Sequence, residues 1–85
     1  MHLGTLLRHV GHEVQERRHE RRLTQEELAF RAGMSSSVLK CVEKGRNFTI
    51  KTIFAIAPTL DTSLGELFTC AEKRAATEHQ RRIAR

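Results

Sequence analysis

The stretch Leu23–Gly45, LTQEELAFRAGMSSSVLKCVEKG, holds two short helical patterns separated by one glycine, with three consecutive serines opening the second. Thr24-Gln-Glu-Glu27 has the S/T-x-x-E form of a capping box, in which the threonine hydroxyl accepts the backbone N–H three residues on and the glutamate reaches back to the threonine N–H. The spacing predicts a helix from Gln25 that turns Leu28, Ala29 and Ala32 inward. It stops at Gly33, because glycine readily takes the left-handed conformation that ends helices. Ser35 then caps a second helix, Ser36 to Glu43, with Leu39 and Val42 on its inner face, and Gly45 closes it. Two helices joined this tightly must cross steeply, which needs a small residue where they meet. Ala29 supplies it. With Gln25 as the first position, Ala29 is fifth, Gly33 ninth, Leu39 fifteenth and Val42 eighteenth, the spacing by which a helix-turn-helix buries its inner side. The outer side of the second helix carries Ser36, Ser37, Lys40, Cys41 and Lys44. That places short hydroxyls where a helix enters a major groove and lysines within reach of phosphates.

Outward from this core the chain reads as helix on both sides. Leu3, Leu6, Leu7, Val10 and Val14 recur at three and four residues, one helical face, strongest from Val10 to about Glu20 because Gly4 and Gly11 weaken the front. Thr49 caps a fourth helix with Ile50, Ile53, Phe54, Ile56, Ala57 and Leu60 as its apolar positions. Pro58 should end or kink it by removing an N–H and crowding the Phe54 carbonyl. Ser63-Leu-Gly-Glu66 is a second capping box, opening a fifth helix that buries Leu64, Leu67 and Phe68. From Ala71 to Arg85 the residues are good helix formers with one strong apolar side chain, Ile83, so this part either extends the fifth helix or frays. The expected fold is all-α: a compact five-helix domain at residues 10–70, an N-terminal extension at 1–9 and a basic C-terminal tail at 71–85.

Composition bounds the function. The chain has 85 residues, 39% hydrophobic and 29% charged, with a net charge of +5, which fits one globular domain rather than a disordered chain. The positive excess is uneven: residues 1–22 carry five basic side chains against three acidic, 71–85 five against two, and 23–70 balance at five each. Within the balanced middle, Lys40, Lys44, Arg46 and Lys51 face only Glu43 between Ser36 and Lys51, which makes one end positive. No apolar run approaches the roughly 20 residues of a membrane span, and Met1 to Val10 lacks the features of a secretory signal, so the expected location is the cytoplasm, with no membrane contact. Cys41 and Cys70 are too few and too far apart for a disulfide framework or zinc site, and both read as free thiols. His9, His12, Glu13, Glu16 and His19 lie close along the first helix without the H-E-x-x-H order, so they read as a solvated face rather than a metal site. No nucleophile–base pattern or phosphate-binding glycine loop is present. The chain is expected to be no enzyme and to need no cofactor or metal.

From about Val10 to Phe68 the sequence resembles the Cro/C1-type (XRE) helix-turn-helix regulators, through LTQEELAFRAGMS, VEKG and TSLGELF, and its RNFTIKTIFAIA segment is similar to restriction–modification controller proteins. The resemblance implies a lambda-repressor-like DNA-binding domain. It implies that Gln25 contacts phosphate, that Ser36, Ser37 and Cys41 face base edges, and that Lys44, Arg46 and Asn47 approach the backbone or minor groove. The capping residues Thr24 and Ser35 and the exposed Lys40 belong to the same DNA-facing set. Arg18 and Glu43 match an ion pair joining the first helix to the end of the third. Arg22 stands where the family often has glycine, which would cost the end of the first helix about 1 kcal/mol, and Arg17 where it prefers an apolar residue.

The expected function is therefore sequence-specific binding of double-stranded DNA by a homodimer, on a palindromic operator, to repress or autoregulate a promoter, with the dimer contact on the fifth helix. Two alternatives stand beside it: an antitoxin that also binds a toxin protein, and a protein- or RNA-interaction module that retains the fold.

Overall fold

In a computed structural model, which describes residues 1–46 and 48–83, the chain forms α1 (Leu3–Glu20), α2 (Gln25–Ala32), α3 (Ser36–Glu43), α4 (Ile50–Thr59) and α5 (Leu64–Ile83). The ends of the first four helices close by one device. A residue of positive φ, Arg22, Gly33, Gly45 or Asp61, follows the last turn. Its N–H and that of the next residue bond back into the helix, as when Arg22 donates to the His19 carbonyl at 2.9 Å and Leu23 to that of Arg18 at 3.1 Å. This is the Schellman arrangement. In three links the left-handed residue, one spacer and the next cap are consecutive: Arg22-Leu23-Thr24, Gly33-Met34-Ser35 and Asp61-Thr62-Ser63.

The caps are local as well. Thr24 Oγ1 accepts from the Glu27 N–H, and Glu27 Oε1 accepts from the Thr24 N–H, each at 3.0 Å. The Thr24 backbone bond, then its hydroxyl, holds the Glu27 carboxyl below its ordinary range. Ser35, Thr49 and Ser63 accept the N–H groups of Val38, Thr52 and Glu66. The second expected capping box forms only by half. The Glu66 carboxylate accepts from the Thr62 hydroxyl at 2.9 Å and from Arg17 at 3.4 Å, because a cation and a hydroxyl outcompete one backbone N–H for it.

Val10 and Val14 of α1, Leu28 of α2, Leu39 and Val42 of α3, Ile53 and Ile56 of α4 and Leu67 of α5 are fully buried together. Each contributes about 1.5–3 kcal/mol of burial, the dominant favourable term in a domain of this size. Ala29 is buried where α2 meets α3. Gly11, buried in α1, has a packing role its sequence position does not announce: a Cβ there would lie 2.4 Å from the Val42 carbonyl oxygen and 2.7 Å from that of Glu43. Only a bare backbone lets α3 come this close.

The most extensive contact is between α1 and α5, and it corrects the reading of the histidine-rich row. His9 and Glu13 are buried, not solvated. Arg8 donates to both Glu78 carboxylate oxygens at 2.9–3.0 Å and His9 Nε2 lies 2.5 Å from one of them. Arg8, then His9, lowers the Glu78 pKa. Arg74 reaches Glu13 at 3.4 Å and also binds Glu16. Arg17, half-buried, bridges to Glu66 and to the Cys70 sulfur at 3.6 Å. Both helices run through the boundaries drawn at residues 9/10 and 70/71. On α4, Ile53, Ile56 and Ala57, with Leu60 just beyond its end, take the inward face, which leaves Ile50 and Phe54 62% and 64% exposed. Leu3 is likewise in solvent. Pro58 lies in the last turn of α4, which ends at Thr59.

Two glycine exchanges should move stability in opposite directions. Arg22→Gly relieves a left-handed arginine and should raise the melting temperature by the equivalent of up to about 1 kcal/mol. Gly11→Ala should lower it by more, since the added Cβ must push the α3 carbonyls away. Thermal melts of the two variants check this; an unchanged Gly11→Ala melt would mean that α1 and α3 are not in close contact.

Candidate nucleic-acid interface

α3 has eight residues, about 12 Å of helix, far too short to hold its shape alone. Its direction is set from below. Leu39 and Val42 sink into the core, Gly11 admits the last carbonyls, and Arg18 grips Glu43 with Nε to Oε2 at 2.7 Å and Nη2 to Oε1 at 3.1 Å. Both residues are buried, at 7% and 8% exposure, so the pair is desolvated and two-pronged, the form in which such pairs are strongly directional. Arg18 Nη1 also donates to the Leu23 carbonyl at 2.9 Å, and Nη2 lies 3.1 Å from His19 Nε2. One guanidinium thus ties α1, the α1–α2 link and the end of α3 into one unit.

Gln25 joins this unit. Its Nε2 donates to Glu43 Oε1 at 3.0 Å. An amide nitrogen carries two hydrogens, so one is committed inward and fixes the side chain, and the other is left for an outside acceptor. The Gln25 amide therefore stands oriented at the start of α2, where the helix dipole favours an anion.

Above this base the outer side of α3 is polar and accessible. Ser37, Lys40, Cys41 and Lys44 are exposed, as are Thr24, Ser35 and Arg46. Ser36 is half-buried rather than open, so the front of the helix offers one free hydroxyl. Val38, which division into apolar and polar faces leaves unassigned, is 41% exposed and adds a methyl surface of the kind that meets a thymine methyl. Its position three residues before Cys41 was the available signal. After α3, Gly45 is pinned twice, by a φ of +71° and by the backbone of Arg8, whose Cα would lie 2.4 Å from a Cβ on Gly45. Phe48, half-buried against the core, anchors the other side of the loop. Asn47 lies outside the described residues. Among the described residues none of Lys40, Lys44, Arg46 and Lys51 makes an ion pair, whereas Arg8, Arg17, Arg18, Arg74 and Arg82 all do.

A tightly joined helix pair, the second helix free on its outer side and flanked by unpaired cations, defines a helix-turn-helix domain. Residues 14–67 match the Helix-turn-helix family model HTH_3. The chain belongs to this family of XRE-type DNA-binding transcription regulators. It is 41% identical over 61 residues to the uncharacterized HTH-type transcriptional regulator y4dJ of Sinorhizobium fredii, a match covering 71% of this chain and 79% of that one. Among solved structures, the clp gene regulator ClgR from Corynebacterium glutamicum shares the fold with a TM-score of 0.84 at 20% identity, over 93% of this chain and 85% of that one. A mutant of the restriction–modification controller protein C.Esp1396I is similar with a TM-score of 0.71 at 30% identity, over 81% and 89%. No described helix is long and apolar enough to cross a membrane.

Removing one member of the Arg18–Glu43 pair leaves a buried charge without its partner, so Arg18→Met and Glu43→Gln should each cost about 3–5 kcal/mol. The double variant should lose clearly less than the two single losses added together. Denaturant unfolding of the set measures the coupling, and strict additivity would show that the two charges do not depend on each other.

Proposed function

We propose that this chain binds a specific double-stranded DNA sequence as a homodimer and represses or autoregulates a promoter. The observation that carries the reading is the outer face of α3, accessible and fringed by unpaired cations over a buried ion pair that fixes the helix. In this reading Ser37, Val38 and Cys41 meet base edges, with Ser36 at the margin. Gln25, Lys44, Arg46 and, by the family resemblance alone, Asn47 hold the backbone. Serine bonds to several bases and discriminates weakly, so affinity leans on the cations. Thr24, Ser35 and Lys40 complete the contact, the first two mainly as caps that present the helix starts. The protein works in the cytoplasm.

One α3 covers only a few base pairs, and a two-fold pair of such helices about 34 Å apart reads a palindrome. The second copy needs an apolar face. The apolar residues of α5 are largely spent on its own fold: Leu67, Ala71 and Ala75 are buried and Leu64 and Phe68 half-buried, which leaves Ile83. Ile50 and Phe54, one turn apart on α4 and exposed, are better placed, directly after the loop that faces DNA. In this proposal the dimer contact lies on α4 rather than on α5.

Two experiments test the reading. Against a panel of single-base operator changes, Ser37→Ala should alter preference at one position by about 1 kcal/mol. Lys44→Ala should weaken every duplex alike and reduce the slope of log affinity against log salt by about one. The reverse pattern would mean that α3 docks in another orientation. Separately, Phe54→Asp should shift the protein toward monomer in sedimentation equilibrium while the thermal melt stays close to the parent's. A dimer of unchanged strength would exclude the α4 face.

A further inference from the structure

We infer that the groove between the first half of α1 and the last half of α5 is a second DNA contact, which takes backbone phosphates flanking the half-site read by α3. The inference rests on the DNA-binding reading above and extends it to a surface that the helix-turn-helix does not include.

The groove encloses about 450 Å³ and is lined by Arg8, His9, His12, Lys73, Arg74 and Arg81, with Glu78 and Thr77. Four of its lining residues carry permanent positive charge and one is a carboxylate. That carboxylate is already occupied. Glu78 is shared by Arg8, His9 and, at 3.1 Å, Arg82, and Arg74 is held by Glu13 and Glu16 of α1. These pairs make the groove wall rigid. Lys73 and Arg81 take part in none of the ion pairs among the described residues, and Arg81, Lys73 and His12 are exposed. The wall therefore presents free cations on a framework of paired ones, and an anion can bind without displacing an existing pair.

Three observations select DNA as that anion. First, the groove adjoins the α3–α4 loop: the Gly45 backbone, between Lys44 and Arg46 in the chain, rests against Arg8 of the groove wall, so the loop and the groove meet at Arg8. Once α3 is docked, flanking phosphates are held at high effective concentration next to it. Second, Lys73 and Arg81 stand eight residues apart on α5, about 12 Å along the helix, far enough apart to reach two separate phosphates of one strand, whose charges advance about 3.4 Å each along the duplex axis. Third, a second copy of the chain is a poor occupant, because a two-fold contact sets a surface against itself and would bring these cations face to face.

The test compares the parent protein with the Lys73→Ala/Arg81→Ala double variant on two duplexes: the operator alone, and the operator with about ten extra base pairs on each side. Both substitutions are at accessible positions away from the core, and circular dichroism melts establish that the fold is kept. On the flanked duplex the salt slope of the variant should be smaller than the parent's by about two, one for each phosphate no longer neutralised. On the trimmed duplex the two proteins should have the same slope. Equal slopes on both duplexes, or an equal reduction on both, would overturn the groove as a flank contact. Failure of the parent to prefer operator over random duplex would instead remove the DNA-binding reading, and the groove proposal with it.

Discussion

The backbone of α1 at Gly11 touches the last carbonyls of α3, and the direction of the recognition helix follows from that contact. α3 offers only Leu39, Val42 and Glu43 as buried anchors. Leu39 and Val42 supply most of the burial energy at about 1.5–3 kcal/mol each, yet two apolar side chains allow a short helix to roll and slide. The Arg18–Glu43 pair removes that freedom. A buried pair of this kind is often no more stabilising than apolar residues of similar size, so its contribution is geometric. The fork of two hydrogen bonds fixes the end of α3, and the third bond to the Leu23 carbonyl fixes the approach to α2. Stability comes from the core, and direction from the ion pair.

Much of the fold was legible because helix boundaries in this chain are written locally. Thr24, Ser35, Thr49 and Ser63 stand at the starts, Gly33 and Gly45 at the ends, and each acts within a few residues of itself. The two non-glycine ends were less visible. Arg22 and Asp61 adopt positive φ because backbone hydrogen bonds close the helix end around them, and nothing in an arginine side chain announces it. Side-chain partners far apart in sequence were illegible for a different reason. Glu66 can complete a capping box or bind Arg17, and only the packing of α1 on α5 decides between them. The same packing turns His9 and Glu13 from apparent surface into a seam.

Ile50 and Phe54 show a further limit of periodicity. α4 is apolar on more than one face, and the spacing of its residues cannot say which face the domain uses for itself. The core takes Ile53, Ile56 and Ala57 because α2 and α5 both pack on that side. Gln25 was expected at phosphate through a likeness alone, and the sequence does not show what orients it. Its amide is oriented by Glu43, so the ion pair beneath α3 also aims a donor at the start of α2. The residues that hold the recognition helix and those that would grip phosphate are parts of one network.

A net charge of +5 does not by itself make a nucleic-acid surface; its distribution after pairing does. Ten acidic residues face fifteen basic ones, and seven of the ten, Glu13, Glu16, Glu27, Glu43, Asp61, Glu66 and Glu78, are engaged by partners in the fold. Most of these engagements lie along the α1–α5 seam or beneath α3. The remaining acids, Glu20, Glu26 and Glu72, lie on α1, α2 and α5, so neither the outer side of α3 nor the described part of the loop after it carries a carboxylate free to neutralise Lys40, Lys44 or Arg46. The fold pairs most of its acids along one seam or beneath α3, and in doing so it leaves the described cations of the helix-turn-helix uncompensated. An excess that looks scattered along the sequence becomes, after pairing, a local field of one sign at the face where a polyanion would dock.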